Sequence, residues 1–380
     1  MKDKWVIHAT AAFGLEAVVK KECEDLGFQE VRVEEGHVLF EGSAREIALA
    51  NIALSVADRV EIELVRFESR DFESLFDRIY WIPWAELLPE NARFPVSAHT
   101  VKSKLASPSD IQSIAKKAIV EKLKASYHRE IFPEDGPLFP VEIRIRKDMV
   151  LVLLDSSGEG LFKRGYRKEK GMAPLKETLA AGLIKLSYWT PDRPLFDPFC
   201  GSGTILIEAA RMGRRMDPGL DRTFLAMDWP WVGRDVFKAV RRERMGRIDL
   251  DRKLDLMGFD IDQDVIMKAV KNADLAEVKE DITFVPKDMR EARLQENFGI
   301  IITNPPYGQR LEKDGGAEAV LKAYAESHGQ LRTWSHFIIS PSRDLEVWMG
   351  READRRRKLY NGGLETTYYQ FHGPDPALFR

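Results

Sequence analysis

Five short apolar runs dominate the second half of this chain: Leu195–Asp197, Leu256–Asp260, Thr283–Val285, Ile300–Asn304 and His336–Ser340. Helical patterns separate them from about residue 175 onward. A strand that is apolar throughout must be covered on both faces, and strands alternating with helices bring that about as a parallel α/β sheet. The last stretch, Arg357–Tyr360 and Glu365–His372 across Asn361-Gly362-Gly363, predicts a hairpin that closes the doubly wound sheet with an antiparallel strand. Sheets of this kind bind ligands at the carboxyl ends of their strands, so chemistry is sought there.

The front of the chain follows another grammar. Lys4–Thr10 predicts a strand, Gly14–Leu26 an amphipathic helix stopped by Gly27, and Val31–Phe40 strand material broken at Glu35-Gly36. A helix over Ala44–Ala57 and a strand over Val60–Phe67 complete a split β-α-β unit. Phe94–Lys102 alternates like a strand. Ser109-Asp110 then caps a helix with Ile111, Ile114, Ala115, Ala118, Ile119 and Leu123 at helical spacing. The tight turn Lys147-Asp148 joins strands Val141–Arg146 and Met149–Asp155. Three domains are expected, over residues 1–65, 66–160 and 161–380, with an insertion in the third over about 213–253.

Charge separates these parts. The chain carries 58 basic and 61 acidic residues, a net charge of −3, so no global field marks a polyanionic partner. Residues 1–65 hold 7 basic and 13 acidic side chains, whereas residues 66–170 hold 19 and 16. Any nucleic-acid surface is therefore local. The two cysteines, Cys23 and Cys200, fit no disulfide or metal-ligand spacing, and the 7 histidines form no HExxH pattern, so no metal is expected. With no apolar run of membrane-spanning length and no export signal, the expected location is the reducing cytoplasm.

The first strand end reads Asp197-Pro198-Phe199-Cys200-Gly201-Ser202-Gly203-Thr204, a glycine turn feeding the helix Ile205–Met212. No Lys-Ser/Thr follows at Walker A spacing, and Leu206 stands where a dinucleotide fingerprint has its third glycine. A turn around an adenosine ligand without phosphates, such as S-adenosylmethionine, is the third reading, with Asp197 facing the ligand's ammonium or a bound water. Asp260 ends the second strand, where a carboxylate can accept from both ribose hydroxyls. Asp262 reads as the cap of the helix Gln263–Ala273. Asp288, after the third strand, could take an adenine amino group.

The fourth strand ends in Asn304-Pro305-Pro306-Tyr307-Gly308. An exocyclic base amine is a poor nucleophile because its lone pair is delocalised into the ring. The Asn304 amide oxygen and the Pro305 carbonyl can accept its two N–H bonds and draw the nitrogen toward tetrahedral geometry. Two prolines hold those acceptors in place beforehand, and Tyr307 offers a face for a flipped base.

Residues 160–372 resemble class I S-adenosylmethionine-dependent methyltransferases of exocyclic amines. Within these, the chain is similar to the bacterial THUMP-domain RNA guanine-N2 methyltransferases, the branch containing the 23S rRNA enzyme. The matching segments are Phe162–Arg167, Ala173–Gly182, the Asp197 loop, Asp217–Arg222 with Trp229 and Trp231, and Asn304–Tyr307. In front, Phe13-Gly14-Leu15-Glu16 and Ser103–Leu123 resemble the ferredoxin-like and THUMP modules. The resemblance implies a Rossmann-like, mostly parallel seven-stranded methyltransferase domain, α/β in class, preceded by α+β ferredoxin-like and THUMP domains.

It also implies roles. Asp197, Gly201 and Gly203 would hold the cofactor's methionine end, with Glu177 and Thr178 on its far side. Asp260 would serve the ribose and Asp288 the adenine, and Cys200, Thr204, Ile261, Met289 and Asn304 would also contact the cofactor. Asn304, Pro305, Pro306 and Tyr307 would take the target base. The 63 residues from Asp197 to Asp260 exceed the roughly 20 that suffice, and the surplus contains Arg214, Arg215, Arg241, Arg242, Arg244 and Arg247 with two tryptophans. This insertion is expected as a subdomain beside the active site.

The expected partner is a structured RNA, ribosomal before transfer RNA. Lys102 and Lys104, in a segment that also holds Lys116, Lys117, Lys122 and Lys124, could meet its phosphates, and Arg164 and Arg167 could line its path at the domain junction. A tRNA guanine-N2 enzyme, an adenine-N6 enzyme and a non-catalytic RNA-binding assembly factor are the competing readings.

Overall fold

The computed structural model describes residues 4–167, 175–295, 298–306, 316–331 and 333–375. The chain forms two compact units. The first comprises Met1–Ala11, Val19–Leu161 and Asp221–Glu243; the second comprises Ala12–Val18, Phe162–Leu220 and Arg244–Arg380.

The first unit is built on one seven-stranded sheet. Its elements are β1 (Trp5–Thr10), α1 (Glu16–Asp25), β2 (Gln29–Glu34), β3 (His37–Gly42), α2 (Ala44–Ala53) and β4 (Arg59–Glu68). There follow α3 (Phe72–Tyr80), α4 (Trp84–Leu87), β5 (Val96–Val101), α5 (Pro108–Tyr127), β6 (Val141–Arg146) and β7 (Met149–Asp155). The strand order is β2-β3-β1-β4-β7-β6-β5, with only β5 and β6 parallel. Strand β4 crosses residue 65. It pairs with β1 through Arg59–Glu63 and with β7 through Glu61–Glu68, so the two front modules share a sheet.

Local chemistry explains these elements. Gly27 at φ 81° and Gly36 at φ 79° make the left-handed turns that end α1 and join β2 to β3. Helix α5 starts earlier than expected: its cap is Ser107, whose hydroxyl accepts from the Asp110 amide, and Pro108 occupies the first turn, where no N–H partner is needed. Lys147 and Asp148 both take positive φ, 49° and 63°, the backbone a two-residue hairpin turn requires.

Part of the insertion belongs to this first unit. Trp229 is fully buried, stacks on Phe139 at 4.9 Å and donates from Nε1 to the Leu138 carbonyl at 2.9 Å. Trp231 donates to the Leu87 carbonyl at 3.1 Å. Asp221–Glu243 is thus part of the first unit rather than a subdomain of its own.

The second unit contains α6 (Glu177–Leu186), β8 (Leu195–Asp197), α7 (Thr204–Gly213), the end of α8 (Arg234–Met245), β9 (Leu256–Asp260), α9 (Gln263–Leu275) and β10 (Ile282–Pro286). It continues with β11 (Ile300–Thr303), α10 (Gly316–His328), β12 (Ser335–Ser340), α11 (Leu345–Met349), β13 (Arg355–Asn361) and β14 (Leu364–Phe371). The order β10-β9-β8-β11-β12-β14-β13 is parallel as far as β12, and the terminal hairpin adds two antiparallel strands. Phe196, Phe259, Ile301, Ile338, Tyr324 and Phe371 lie in its core. Gly258 is required in β9, because a Cβ there would meet Leu206 Cδ1 at 2.5 Å and Cys200 Cβ at 2.9 Å.

Candidate active site

The chemistry-bearing strand ends of the second unit meet at one edge of its sheet. Parallel pairing of β8 with β11, Ile300 to Leu195 and Ile301 to Phe196, carries the glycine loop and the Asn304 loop out side by side. A hydrogen bond joins the two ends: Thr303 Oγ1 donates to Asp197 Oδ1 at 2.7 Å. The same oxygen accepts the Phe199 amide at 3.2 Å. Asp197 is almost fully buried, and that burial pushes its carboxyl up to about 7, against the two hydrogen bonds that favour the charged form.

The glycine loop has the backbone its sequence predicts. Gly201 and Gly203 adopt φ 52° and 83°, and α7 begins at Thr204. A Cβ on Gly203 would lie 2.8 Å from Phe284 Cζ and 3.2 Å from Ala269 Cβ, so the turn is closed against β10 and α9. Cys200 is buried, with its thiol pushed well up by desolvation and by Asp197 and Asp260. Thr204 is buried, its hydroxyl 3.4 Å from that of Ser202.

Asp260 reaches back from β9 to that loop. Its Oδ2 accepts the Gly201 amide at 3.1 Å and its Oδ1 the Asp262 amide at 3.0 Å. Asp262 caps α9, accepting from the Asp264 and Val265 amides. Ile261, between them, is 77% exposed, a large apolar side chain held at the lip of the site. Asp288 is engaged by a neighbour that sequence reasoning missed: Arg290 donates to both its oxygens, at 2.9 and 2.6 Å, and also its backbone amide. The Arg290 hydrogen bonds hold that carboxyl below its usual range. The Met289 side chain lies in the core.

Glu177 and Thr178 are buried in the first turn of α6. Burial pushes Glu177 up to about 7 despite its ion pair with Arg167 at 2.8 Å. Arg167 also donates to the Leu175 carbonyl. Arg164 is buried against Glu208 of α7 at 3.4 Å, and Tyr166 donates to the same carboxylate at 3.0 Å. A guanidinium facing the protein interior cannot meet an RNA phosphate, so the RNA-contact expectation for Arg164 is corrected, and Arg167 is largely spent on Glu177. The basic hexapeptide from Phe162 is instead a clamp on α6 and α7. The insertion arginines divide similarly. Arg214 pairs with Asp281, Arg244 with Asp217, and Arg241 donates to the Arg222 carbonyl; Arg215, Arg242 and Arg247 are exposed.

Asn304 follows β11 half-buried, between a fully buried Thr303 and a buried Pro305. Its Oδ1 is shielded from solvent and has no hydrogen-bond partner among the described residues. A buried acceptor left open costs stability unless something fills it, and such a group invites a ligand donor. Pro306 continues the loop; Tyr307 lies outside the described residues. Lys102 and Lys104 are exposed on the loop after β5, in the first unit. Among the described residues no group of His, Cys, Asp and Glu is placed to hold a metal ion, and no helix is long and apolar enough to cross a membrane.

Comparison with known proteins agrees with this arrangement. The RMKL-like methyltransferase domain family matches residues 164–370, the RlmL ferredoxin-like domain residues 7–61 and the THUMP domain residues 69–155. The Bacillus subtilis (strain 168) protein named "Putative RNA methyltransferase YpsC" is 44% identical over 97% of this chain and 96% of its own. The crystal structure of SMU.472, "a putative methyltransferase complexed with SAH", superposes with a TM-score of 0.93 at 43% identity, covering 99% of this chain and 100% of that one. A Listeria monocytogenes structure described as a "predicted N6-adenine-specific DNA methylase" gives 0.93 at 41% identity, over 98% and 97% of the two chains.

Proposed function

Because this chain belongs to the RMKL-like methyltransferase family and is an RNA methyltransferase of that kind, we propose that it methylates the exocyclic amine of a base, guanine N2 in 23S rRNA, in the cytoplasm. S-Adenosylmethionine is the proposed cofactor, and when bound it supplies a methyl group on a sulfonium. The observation that carries the reading is the buried Oδ1 of Asn304, without a hydrogen-bond partner among the described residues, at the strand end bonded to the glycine-loop strand through Thr303 and Asp197.

The residues fit such a ligand. Gly201 and Gly203 let it approach the backbone, Ile261 offers an apolar face, and Asp260 presents a carboxylate at the lip. Asn304 Oδ1 and the Pro305 carbonyl accept the two N–H bonds of the target amine, so its lone pair is freed for the N–C bond that replaces the S–C bond. The surplus proton leaves the nitrogen to solvent through these acceptors. Pro305 and Pro306 keep them oriented before substrate arrives. No covalent intermediate on the chain is needed, and Cys200, with its thiol held protonated, is no nucleophile.

Two predictions test the cofactor half. Asp260→Ala removes a carboxylate from the lip and releases the Gly201 amide; the Kd for S-adenosylmethionine, read by calorimetry, is expected to rise about 10–100-fold, as for a lost charged hydrogen bond. Unchanged affinity takes Asp260 away from the ribose. The second follows from Asp197, neutral below about 7 in the free protein. A cationic ligand favours its ionised form, so affinity should strengthen as pH rises from 6 to 8 and level off above, and Asp197→Asn should flatten the profile. An equally steep profile in that variant assigns the titration to another group.

Substrate identity is tested by mass spectrometry of nucleosides from ribosomal and transfer RNA of cells with and without the protein. N2-methylguanosine lost from 23S rRNA alone supports the proposal, whereas loss from tRNA redirects it. The Asn-Pro-Pro-Tyr chemistry serves adenine N6 equally, and loss of N6-methyladenosine would favour that reading.

A further inference from the structure

The segment Phe13-Gly14-Leu15-Glu16 has no part in the chemistry above, yet it belongs to the second unit and is fastened there at three points. Gly14, at φ 86°, lies so close to β13 that a Cβ would sit 2.6 Å from the Lys358 carbonyl oxygen. The Arg357 guanidinium donates to the Gly14 carbonyl at 2.8 Å, and the Gly14 amide donates to Glu16 Oε2 at 2.8 Å. Leu15 is fully buried against Gly182 of α6, which has no room for a Cβ beside it. Such anchoring leaves one side chain outside. Phe13 is 52% exposed and packs edge-on against Tyr360 of β13, ring centroids 5.7 Å apart at 80°. Lys358 Nζ sits 5.4 Å from the centre of the Tyr360 ring and pairs with Glu365 at 2.6 Å, and Leu364, across the hairpin, is also exposed.

The register places this patch at the edge that carries Asn304. Thr303 is level with Ile338, Ser340 with Thr367, and Thr367 with Lys358, so Tyr360 stands four residues beyond the level of Thr303, toward the carboxyl edge. Three strand spacings of ~4.8 Å put it about 14 Å across the sheet from β11. We infer that Phe13 and Tyr360 form a stacking platform for an unpaired RNA base flanking the target nucleotide; this rests on the function proposed above and specifies how its substrate is held. A partly exposed aromatic pair suits a nucleobase, since every base has a π-face on which an aromatic ring can stack. Arg343, exposed on the loop after β12, adds a cation at that edge.

The test is a fluorescence-anisotropy titration of the full chain with a short labelled single-stranded RNA of random sequence. Phe13→Ala/Tyr360→Ala is expected to weaken binding by about 5- to 100-fold, the range for a lost base–aromatic stack. Tyr360→Phe should bind nearly as wild type, and the Kd for S-adenosylhomocysteine should not change. If the double variant melts early, Phe13→Ala alone carries the test, because that ring is half outside the core. Unchanged RNA affinity in a folded variant overturns the platform, as does a loss in Tyr360→Phe equal to that in the alanine variant. Should the wild-type chain bind RNA through these rings yet transfer no methyl to ribosomal RNA, the proposed function falls and the platform stands. A wild-type chain that binds no RNA overturns both.

Discussion

Asn304→Ala is expected to lower kcat for methyl transfer by about 100-fold or more while leaving the Kd for S-adenosylmethionine within about twofold. Removing one preorganised donor or acceptor at a reacting centre typically costs about 2.7–4 kcal/mol of transition-state stabilisation. Asn304 is well placed to show the full effect. Its Oδ1 is shielded and without a partner among the described residues, so its loss breaks no hydrogen bond of that atom to them. Its neighbour Thr303, not Asn304, makes the bond to Asp197 that joins the two strand ends. Single-turnover kinetics on ribosomal RNA, with cofactor binding followed by calorimetry, separates the two quantities. A parallel loss of both would place Asn304 in the cofactor site rather than at the base.

Glu208→Ala is expected to destabilise the second unit by about 3–5 kcal/mol, the cost of breaking a buried ion pair by removing one member. The side chains of Arg164 and Glu208 are 1% and 3% exposed, and Tyr166 donates to the same carboxylate. With Glu208 gone, a guanidinium and a phenol hydroxyl each lose one buried acceptor. Urea unfolding of the full chain reads this as an earlier transition. Arg164→Met/Glu208→Leu should recover most of the loss, because two apolar groups of similar size need no partner. If Glu208→Ala and the double variant unfold at the wild-type midpoint, the pair contributes no stability, and Arg164 is again available as a candidate for RNA contact.

Much of the catalytic unit was legible before any coordinates. Leu195–Asp197 and Leu256–Asp260 are strands over the very residues their apolar runs span, since a strand covered on both faces leaves a continuous hydrophobic signal. Asp262 was readable as a cap because its role is local, and capping chemistry depends on residues two or three positions away. What failed depends on distance. Arg164 and Arg167 sit among lysines and an aromatic, a composition that suggests a nucleic-acid surface, and only the fold reveals Glu208 and Glu177 opposite them. Trp229 finds Phe139 and the Leu138 carbonyl some ninety positions earlier in the chain, which no local pattern encodes. Arg290 beside Asp288 was visible in sequence, but nothing there says that it turns back on its neighbour.

Strand β4 has a consequence for how such a chain can be divided. Because it hydrogen-bonds to β1 on one side and β7 on the other, a cut after residue 65 leaves Arg66–Glu68 on the far fragment. Each piece then presents a bare row of N–H and C=O groups, the template on which chains stick to one another. The two front modules match separate families, yet separating one from the other would leave an open seam in the sheet they share.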